Sequence, residues 1–330
     1  MYTLDDLDAA LAAASRARVV VAGDPCLDEN VYGRVETVAK EAPIVALEAG
    51  ERVYAPGQAA NVAANVAALG GRAALVGVVG ADETRDRLLR ELAALDVDVA
   101  GLVVEAGRAT THKVKLVARE PQRHRQHLLH VYWQGRRAPG AAAAKALRAA
   151  TSRALAAADV LVFSDYDNGT LSPAFIRFLF QEARRRRVFT VANARGDLRK
   201  FRGVALAVAN REELRSLAGA RAGGRDLTAA LAAAAKVLGA KFVAVTAGDE
   251  GMYVWPVRAR ARHLPSAARG VVDVTGAGDT VTAALAVALG GGLPWEKAAA
   301  FANVAAAVAC AREGTAAPTG REITIWLRER

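Results

Sequence analysis

The strongest constraint on this chain is a rhythm. Between residues 141 and 246, helical runs near 141–157, 172–186, 211–217 and 227–238 alternate with short apolar runs near 160–164, 188–192, 205–209 and 242–246. The short runs are almost continuously apolar, so each predicts a strand covered on both faces. Parallel strands need a long crossover, and a helix supplies it. The predicted fold class is therefore α/β, a doubly wound, mostly parallel sheet with helices on both faces. The first half continues the rhythm, with strands at 18–24 and 73–79 and helices at 58–69 and 82–95. Residues 30–35, 44–54, 110–119 and 126–133 follow another grammar, apolar and polar in turn, as in a sheet with one wet face. They predict a small sheet projecting from the main one. Residues 1–330 then form a single domain, with lid strands from about 30–54 and 110–133.

The densest chemical signal is Asp273-Val274-Thr275-Gly276-Ala277-Gly278-Asp279. Residues 270–274 end in β-branched side chains, which predicts a strand. Residues 280–290 form an uncharged Ala/Leu/Val-rich run, which predicts a buried helix. The small residues between them let backbone N–H groups point outward at a helix N-terminus, a ready site for an anion. Asp279 falls in the first helical turn beside it. A carboxylate there can take a proton from a hydroxyl while phosphoryl oxygens are held. A glycine-rich turn with Asp279 as a helix-start residue fits the same letters, and the residues alone leave both readings open.

Composition removes several function classes. The formal net charge is +10, and the densest basic cluster, Arg184 to Arg187, ends an apolar helical run where it complements the helix dipole. No aromatic residues interleave with it, which argues against nucleic acid as a partner and suits anionic small molecules. Residues 1–18 read as an amphipathic helix rather than a secretion signal, and no uncharged run makes a convincing membrane span. The two cysteines, Cys26 and Cys310, cannot form a disulfide framework, which fits a reducing cytoplasm. No Gly-Lys pair exists, so there is no Walker loop. His124, His127 and His130 are three apart, and a strand's period of two places His127 opposite the other two, against a metal site. Lys113 and Lys115, by the same period, share a face of a lid strand, and that pair, ahead of Arg119, is a candidate to bind an anionic group of a substrate.

Asp-x-Thr-Gly-Ala-Gly-Asp resembles the C-terminal signature of the ribokinase-like (PfkB) carbohydrate kinases. The resemblance runs from about residue 19 to 315 and implies ATP and Mg²⁺ as cofactors and a sugar or sugar phosphate as acceptor. It implies that Asp279 is the catalytic base and that the N–H groups of Gly276, Ala277 and Gly278 form the anion hole. Gly57-Gln58-Ala59-Ala60-Asn61 resembles the family's Gly-Gly-x-x-Asn motif, which implies sugar contacts for Gly57, Gln58 and Asn61. Asp24 and Asp28 match its acidic sugar-hydroxyl ligands, with a loop cap as the structural alternative for Asp24. Asn210-Arg211-Glu212-Glu213 resembles the Asn-x-x-Glu motif, which implies that Asn210 and Glu213 organise Mg²⁺ through water; an Asn-capped helix fits it equally. Thr246, Gly248 and Gly251 resemble the nucleotide loop, and Asn303 falls where the family lines the adenine pocket. A homodimer through the lid strands is the implied assembly.

Within that family the words Gly23–Asp28, Glu41–Pro43, Ser164-Asp165-Tyr166 and Val274–Thr280 most resemble the kinases of D-glycero-β-D-manno-heptose 7-phosphate, and they bring Asp165 into the substrate set. Those kinases often carry a fused nucleotidyltransferase, so a chain ending at Arg330 is expected to be the kinase half alone. Three positions depart from the pattern. Gln58 replaces a glycine, Asn168 a lysine, and Asn193-Ala194-Arg195 an Asp-Pro-Lys. The expectation is an active kinase with an altered acceptor pocket, in which Gln58 narrows the site or adds an amide contact.

Overall fold

The computed structural model describes residues 2–119, 125–219, 227–257 and 260–329. Among them, nine strands form the main sheet: β1 (Arg18–Gly23), β4 (Arg72–Val79), β5 (Asp98–Val104), β8 (Val160–Asp165), β9 (Phe189–Ala194), β10 (Leu206–Asn210), β11 (Phe242–Thr246), β12 (Met252–Pro256) and β13 (Arg262–Leu264). Their spatial order is β13-β12-β11-β10-β9-β8-β1-β4-β5. The strands from β5 to β11 in that order pair in parallel, while β12 and β13 add an antiparallel edge. The chain leaves β1 in both directions, so the order reverses there, and the crevice at the carboxyl ends of β1 and β8 is where such sheets bind ligands.

Each central strand feeds two cores. Val19 and Val21 of β1 face one cluster with α1 (Leu4–Ala14), α2 (Ala59–Ala68), α8 (Ala277–Gly290) and α9 (Trp295–Cys310). Val20 and Ala22 face the other, with α4 (Ala141–Ala154), α5 (Pro173–Arg186), α6 (Arg211–Ala218) and α7 (Thr228–Leu238). This period of two in a run of unbroken apolar residues is what a doubly covered strand requires. Local signals fix the helix ends. In α5, Ser172 accepts from the N–H of Phe175, Pro173 opens the first turn, and Arg187 closes the helix in a left-handed conformation. Arg185 and Arg186 of the basic cluster pair with Glu182, and that run is a solvated helix end.

The lid is a four-stranded sheet in the order β3-β2-β6-β7, built from β2 (Pro25–Val38), β3 (Val45–Gln58), β6 (Thr111–Ala118) and β7 (Gln126–Trp133). Only Asp24 separates β2 from β1, so the lid grows directly out of the central strand. The helix α3 (Glu83–Ala93) packs under β2 and β3, with Arg87 over the Tyr54 ring. The last helix is α10 (Gly320–Arg328).

Two expectations fail. Residues 270–274 are not a strand: the N–H groups of Val272 and Asp273 both turn to the carbonyl of Cys310, and Val271, Val272 and Val274 lie exposed. Their β-branched side chains have no sheet neighbour to pack on, and packing is most of what strand propensity measures. The histidine period fails as well. Val117 pairs with His127 and Leu116 with Leu129, so a bulge at Leu128 shifts the face of β7. His127 then meets His130 at 3.2 Å, and His130 meets the Tyr132 hydroxyl at 3.0 Å. His124 and the expected turn around it lie outside the described residues. Among the described residues no group of three or more metal-ligating side chains forms, and no helix is long and apolar enough to cross a membrane.

Candidate active site

The turn before α8 is held in shape by its own residues. Asp273 accepts from the backbone and hydroxyl of Thr275 (3.0 and 2.7 Å) and from the Gly314 N–H (3.1 Å). Gly276 caps the helix with φ +82°, and a Cβ there would meet Asn61 Nδ2 at 2.8 Å, so the position requires glycine twice over. The Ala277 N–H is given to the Val274 carbonyl at 3.2 Å, so it is not open to a ligand. Among the described residues the N–H groups of Gly276, Gly278 and Asp279 have no acceptor, and nothing lies within 4 Å of where a Gly278 side chain would start. The anion hole that the turn can offer is thus Gly276, Gly278 and Asp279, with Ala277 holding the turn.

Asp279 is 5% exposed and stands at the centre of a convergent set. Its Oδ2 accepts from Asn61 Nδ2 (2.8 Å), and its Oδ1 from the Tyr166 hydroxyl (2.7 Å) and, at 3.4 Å, from Asn193 Nδ2. Burial pushes the carboxyl up to about 6, while the bonds from Tyr166 and Asn61 pull it down. Asn61 is positioned by a ladder of buried amides. Asn65, one turn along α2, donates to the carbonyl and Oδ1 of Asn61 and accepts from the Thr280 hydroxyl at 2.8 Å, which ties α2 to α8.

The three acidic candidates on the acceptor side divide. Asp24 is 1% exposed and its two carboxylate oxygens accept from the N–H groups of Tyr166, Asn168 and Thr170, so its contacts are those of the loop cap. Asp165 pairs with Lys200 (3.1 Å) and accepts from the Asp167 N–H; burial pushes its carboxyl upward. Asp28 alone keeps an open carboxylate, touched by the Cys26 thiol at 3.5 Å. Gly57 pairs with Cys26 on the neighbouring strand, and a Cβ there would come within 2.5 Å of the Asp28 carboxylate, which explains that glycine.

Gln58 departs from glycine in a conformation that glycine favours, φ +55° and ψ −127°, and it is buried. Its amide lies 3.0 Å from Asn168 Nδ2. Turning the amide over points its oxygen at Lys113 Nζ (2.9 Å) and its nitrogen at the Asp24 carbonyl (3.2 Å), which removes a donor–donor clash. The expected amide contact is therefore made to protein. Lys113 stands opposite Asp28 in the lid, and Lys115 opposite Asn30 and His130. Lys113 also lies 5.3 Å from the Tyr166 ring, and Arg195 lies 5.8 Å from it. Among the described residues no carboxylate forms an ion pair with Lys113, Lys115 or Arg195.

The nucleotide-side candidates gather at the carboxyl ends of β10 and β11. Asn210 and Glu213 form a reciprocal capping box on α6, at 2.9 and 2.8 Å, and burial raises the Glu213 carboxyl. Thr246 ends β11 and its hydroxyl reaches the Ala209 carbonyl. Gly248 and Gly251 both have positive φ, and a Cβ at Gly251 would strike the Leu264 carbonyl at 2.2 Å. Asn303 donates to the Pro265 carbonyl and lines a cavity of about 470 Å³ with His263, Ser266 and Tyr2.

The sequence pattern of the pfkB family carbohydrate kinases matches residues 24–321, nearly the whole of this architecture. The chain belongs to that family. It is 39% identical to the bifunctional protein HldE of Azorhizobium caulinodans over 322 residues, and 41% identical to that of Halorhodospira halophila over 312. These alignments cover 96% and 94% of this chain but 66% and 63% of the relatives, so the chain spans a little less than two thirds of their length. Among solved structures, Escherichia coli phosphofructokinase-2 in complex with substrates and products superposes with a TM-score of 0.76 at 18% identity, covering 95% and 99% of the two chains. Arabidopsis thaliana ribokinase complexed with ribose and ATP gives 0.71 at 21%, covering 94% and 99%. The fold is the ribokinase-like one, and the chain is a phosphotransferase acting on sugar hydroxyls.

For a pfkB kinase, the structure gathers Asp279, Gly276, Gly278, Asn61, Asp28, Gln58 and Lys113 around one crevice. Lys115 stands one row further out on the lid. Two contacts of Asp279 escaped sequence reasoning. Tyr166 was visible within the Ser164-Asp165-Tyr166 word, at the end of a central strand where ligand-facing residues collect. Asn193 stood out in the sequence only as a departure from the family pattern outside the 273–279 turn, and it lies against Asp279. Only the pairing of β8 with β9, Ser164 opposite Asn193, brings it there.

Proposed function

We propose that this chain transfers the γ-phosphoryl group of ATP to a hydroxyl of a sugar phosphate, with the C1 hydroxyl of D-glycero-β-D-manno-heptose 7-phosphate as the leading acceptor. The carrying observation is Asp279, buried, three times hydrogen-bonded and next to open N–H groups at the start of α8. A carboxylate with a value of about 6 is ionised at neutral pH and basic enough to take a hydroxyl proton as the bond to phosphorus forms. The N–H groups of Gly276, Gly278 and Asp279 then face the phosphoryl oxygens at no reorganisation cost. Positioning accounts for most of the catalysis in phosphoryl transfer. Asp28 is the acceptor's open hydroxyl ligand, and the unpaired cations Lys113 and Lys115 suit its phosphate.

The donor set fits Mg²⁺-ATP. Glu213 keeps one carboxylate oxygen outside its capping box, and a hard cation held through water suits a single carboxylate. When bound, the metal would offset charge between the β- and γ-phosphates. The two free cysteines, with Cys26 buried, suit a reducing cytoplasm.

A second reading has its own support. Gln58 and Asn168 pair across the acceptor crevice, so another phosphorylated sugar is the alternative acceptor. The test is Mg²⁺-ATP turnover against the heptose phosphate, fructose 6-phosphate, ribose and adenosine. Turnover on the heptose phosphate supports the first reading, and on another member the second. Asp279→Asn should lower turnover about 10²–10⁴-fold with ATP affinity nearly unchanged. Equal loss of both would assign that residue to structure, and ATP binding without turnover on any acceptor would point to a regulator.

A further inference from the structure

Asp279 has four acceptor positions, two on each oxygen, and their occupants differ in quality. On Oδ2, Asn61 donates from α2 at 2.8 Å. On Oδ1, Tyr166 donates at 2.7 Å, whereas Asn193 donates at 3.4 Å, at the weak limit of a hydrogen bond. The phenol is fixed from several sides. Its own backbone N–H is held by Asp24 (3.0 Å), and the cations of Lys113 and Arg195 lie 5.3 and 5.8 Å from its ring. Resting on the catalytic reading above, we propose that Tyr166 is a positioning residue for phosphoryl transfer. It holds Asp279 by Oδ1 in its ionised form and turns the carboxylate so that the unoccupied second lone pair of Oδ2 faces the acceptor hydroxyl.

The proton balance follows from the contacts. The acceptor O–H bond breaks, its proton passes to Asp279, and the oxygen bonds to phosphorus as the bond to the leaving ATP oxygen breaks. Tyr166 keeps its own proton throughout, since burial and the adjacent Asp279 charge hold the phenol well above its ordinary range. The groups facing Asp279 are Tyr166 after β8, Asn61 from α2, Asn193 from β9, and Asp28 and Lys113 from the lid. Asp28 disfavours the charged form, and Lys113 favours it. Tyr166 favours it too, because a donor to a carboxylate stabilises the charged form. Removing the donor therefore raises the carboxyl value.

The experiment compares wild type with Tyr166→Phe, which keeps the ring beside Lys113 and Arg195. The acid limb of kcat/KM should move from near pH 6 to about one unit higher, since a lost charge-assisted hydrogen bond is worth about a tenfold change in ionisation. Activity at pH 5.5 should fall to about a tenth, while activity at pH 8.5 stays within about threefold. An equal fall at all pH values, with the limb unmoved, would make Tyr166 merely structural and overturn the proposal. The Asp279 carboxyl can also be titrated without any acceptor, by ¹³C NMR of aspartate-labelled protein assigned with Asp279→Asn. A raised value in Tyr166→Phe supports the proposal even if no acceptor in the panel is turned over, and an unchanged value sinks it even if one is. If Tyr166→Phe does not fold, 3-fluorotyrosine incorporation strengthens the donor while removing nothing. It should lower the carboxyl value, and no movement would count against the inference.

Discussion

Asp279 is held at about 6 mainly by burial, roughly two units above an ordinary aspartate, so the folded chain binds its proton more tightly than the unfolded chain does. Its contribution to stability is full below pH 4 and is lost as the pH rises through 6. Two units correspond to about 3 kcal/mol, an upper figure for a single site. Asp279→Asn should therefore be more stable than wild type at pH 8, by about 2 kcal/mol, and the advantage should vanish near pH 4. Denaturant melts at the two pH values check this, and a pH-independent difference would show that the carboxylate carries no such strain. The residue scale is also where sequence reading reached furthest and then stopped. The seven-residue word singled out Asp279 beside a helix N-terminus, because helix-start glycines and a first-turn carboxylate are local, and its resemblance to the family signature carried the expected role of a base. Whether a given N–H is free is not local. Ala277 is lost from the anion hole because its N–H turns back to Val274. Gln58 was legible as a departure from glycine. That its amide meets Asn168, 110 positions along, and also Lys113 depends on the folded chain, and no periodicity carries that.

Elements were legible where their pattern was their own. β7 and β11 fall where alternation and apolar runs put them, and α8 begins only three residues before its expected start. β5, with Gly101 in its middle, and the short edge strands β12 and β13 gave no clear pattern. Residues 270–274 gave a misleading one, because three valines there serve the turn rather than a sheet. That turn is fastened to the lid. Arg125, just before β7, pairs with Asp273 (3.2 Å) and donates to the Val272 carbonyl (2.7 Å), and Arg119, just after β6, pairs with Glu313 (3.2 Å). The lid and the start of α8 therefore share one charged joint. Arg125→Ala should loosen it, raising KM for the acceptor several-fold while kcat falls less, with faster amide exchange in β7. A change in kcat alone would show that the joint sets the chemistry rather than lid position.

At the scale of the whole molecule, the lid poses a problem that the monomer leaves open. β3 and β7 are both edge strands, and β7 presents one side of its backbone unpaired beside the exposed Leu129, Tyr132 and Trp133. The lid tip adds Val38, Ile44 and Val45, also exposed. An exposed, apolar edge of eight residues is an aggregation hazard unless something covers it. α3 packs on β2 and β3, and among the described residues no helix packs on β7 to a comparable extent. We propose that a second copy covers it, lid against lid, which would also fix the strand that carries His130 and backs Lys115. Leu129→Glu places a charge on the exposed edge while its cross-strand neighbour Leu116 stays in place. The substitution should turn a dimer into a monomer in sedimentation without lowering the melting temperature of the main sheet. It should also raise KM for a phosphorylated acceptor, because Lys115 is backed by the strand that loses its support. If wild type sediments as a monomer at micromolar concentration, the edge must be managed within one chain, and Leu129→Glu should then leave KM where it was.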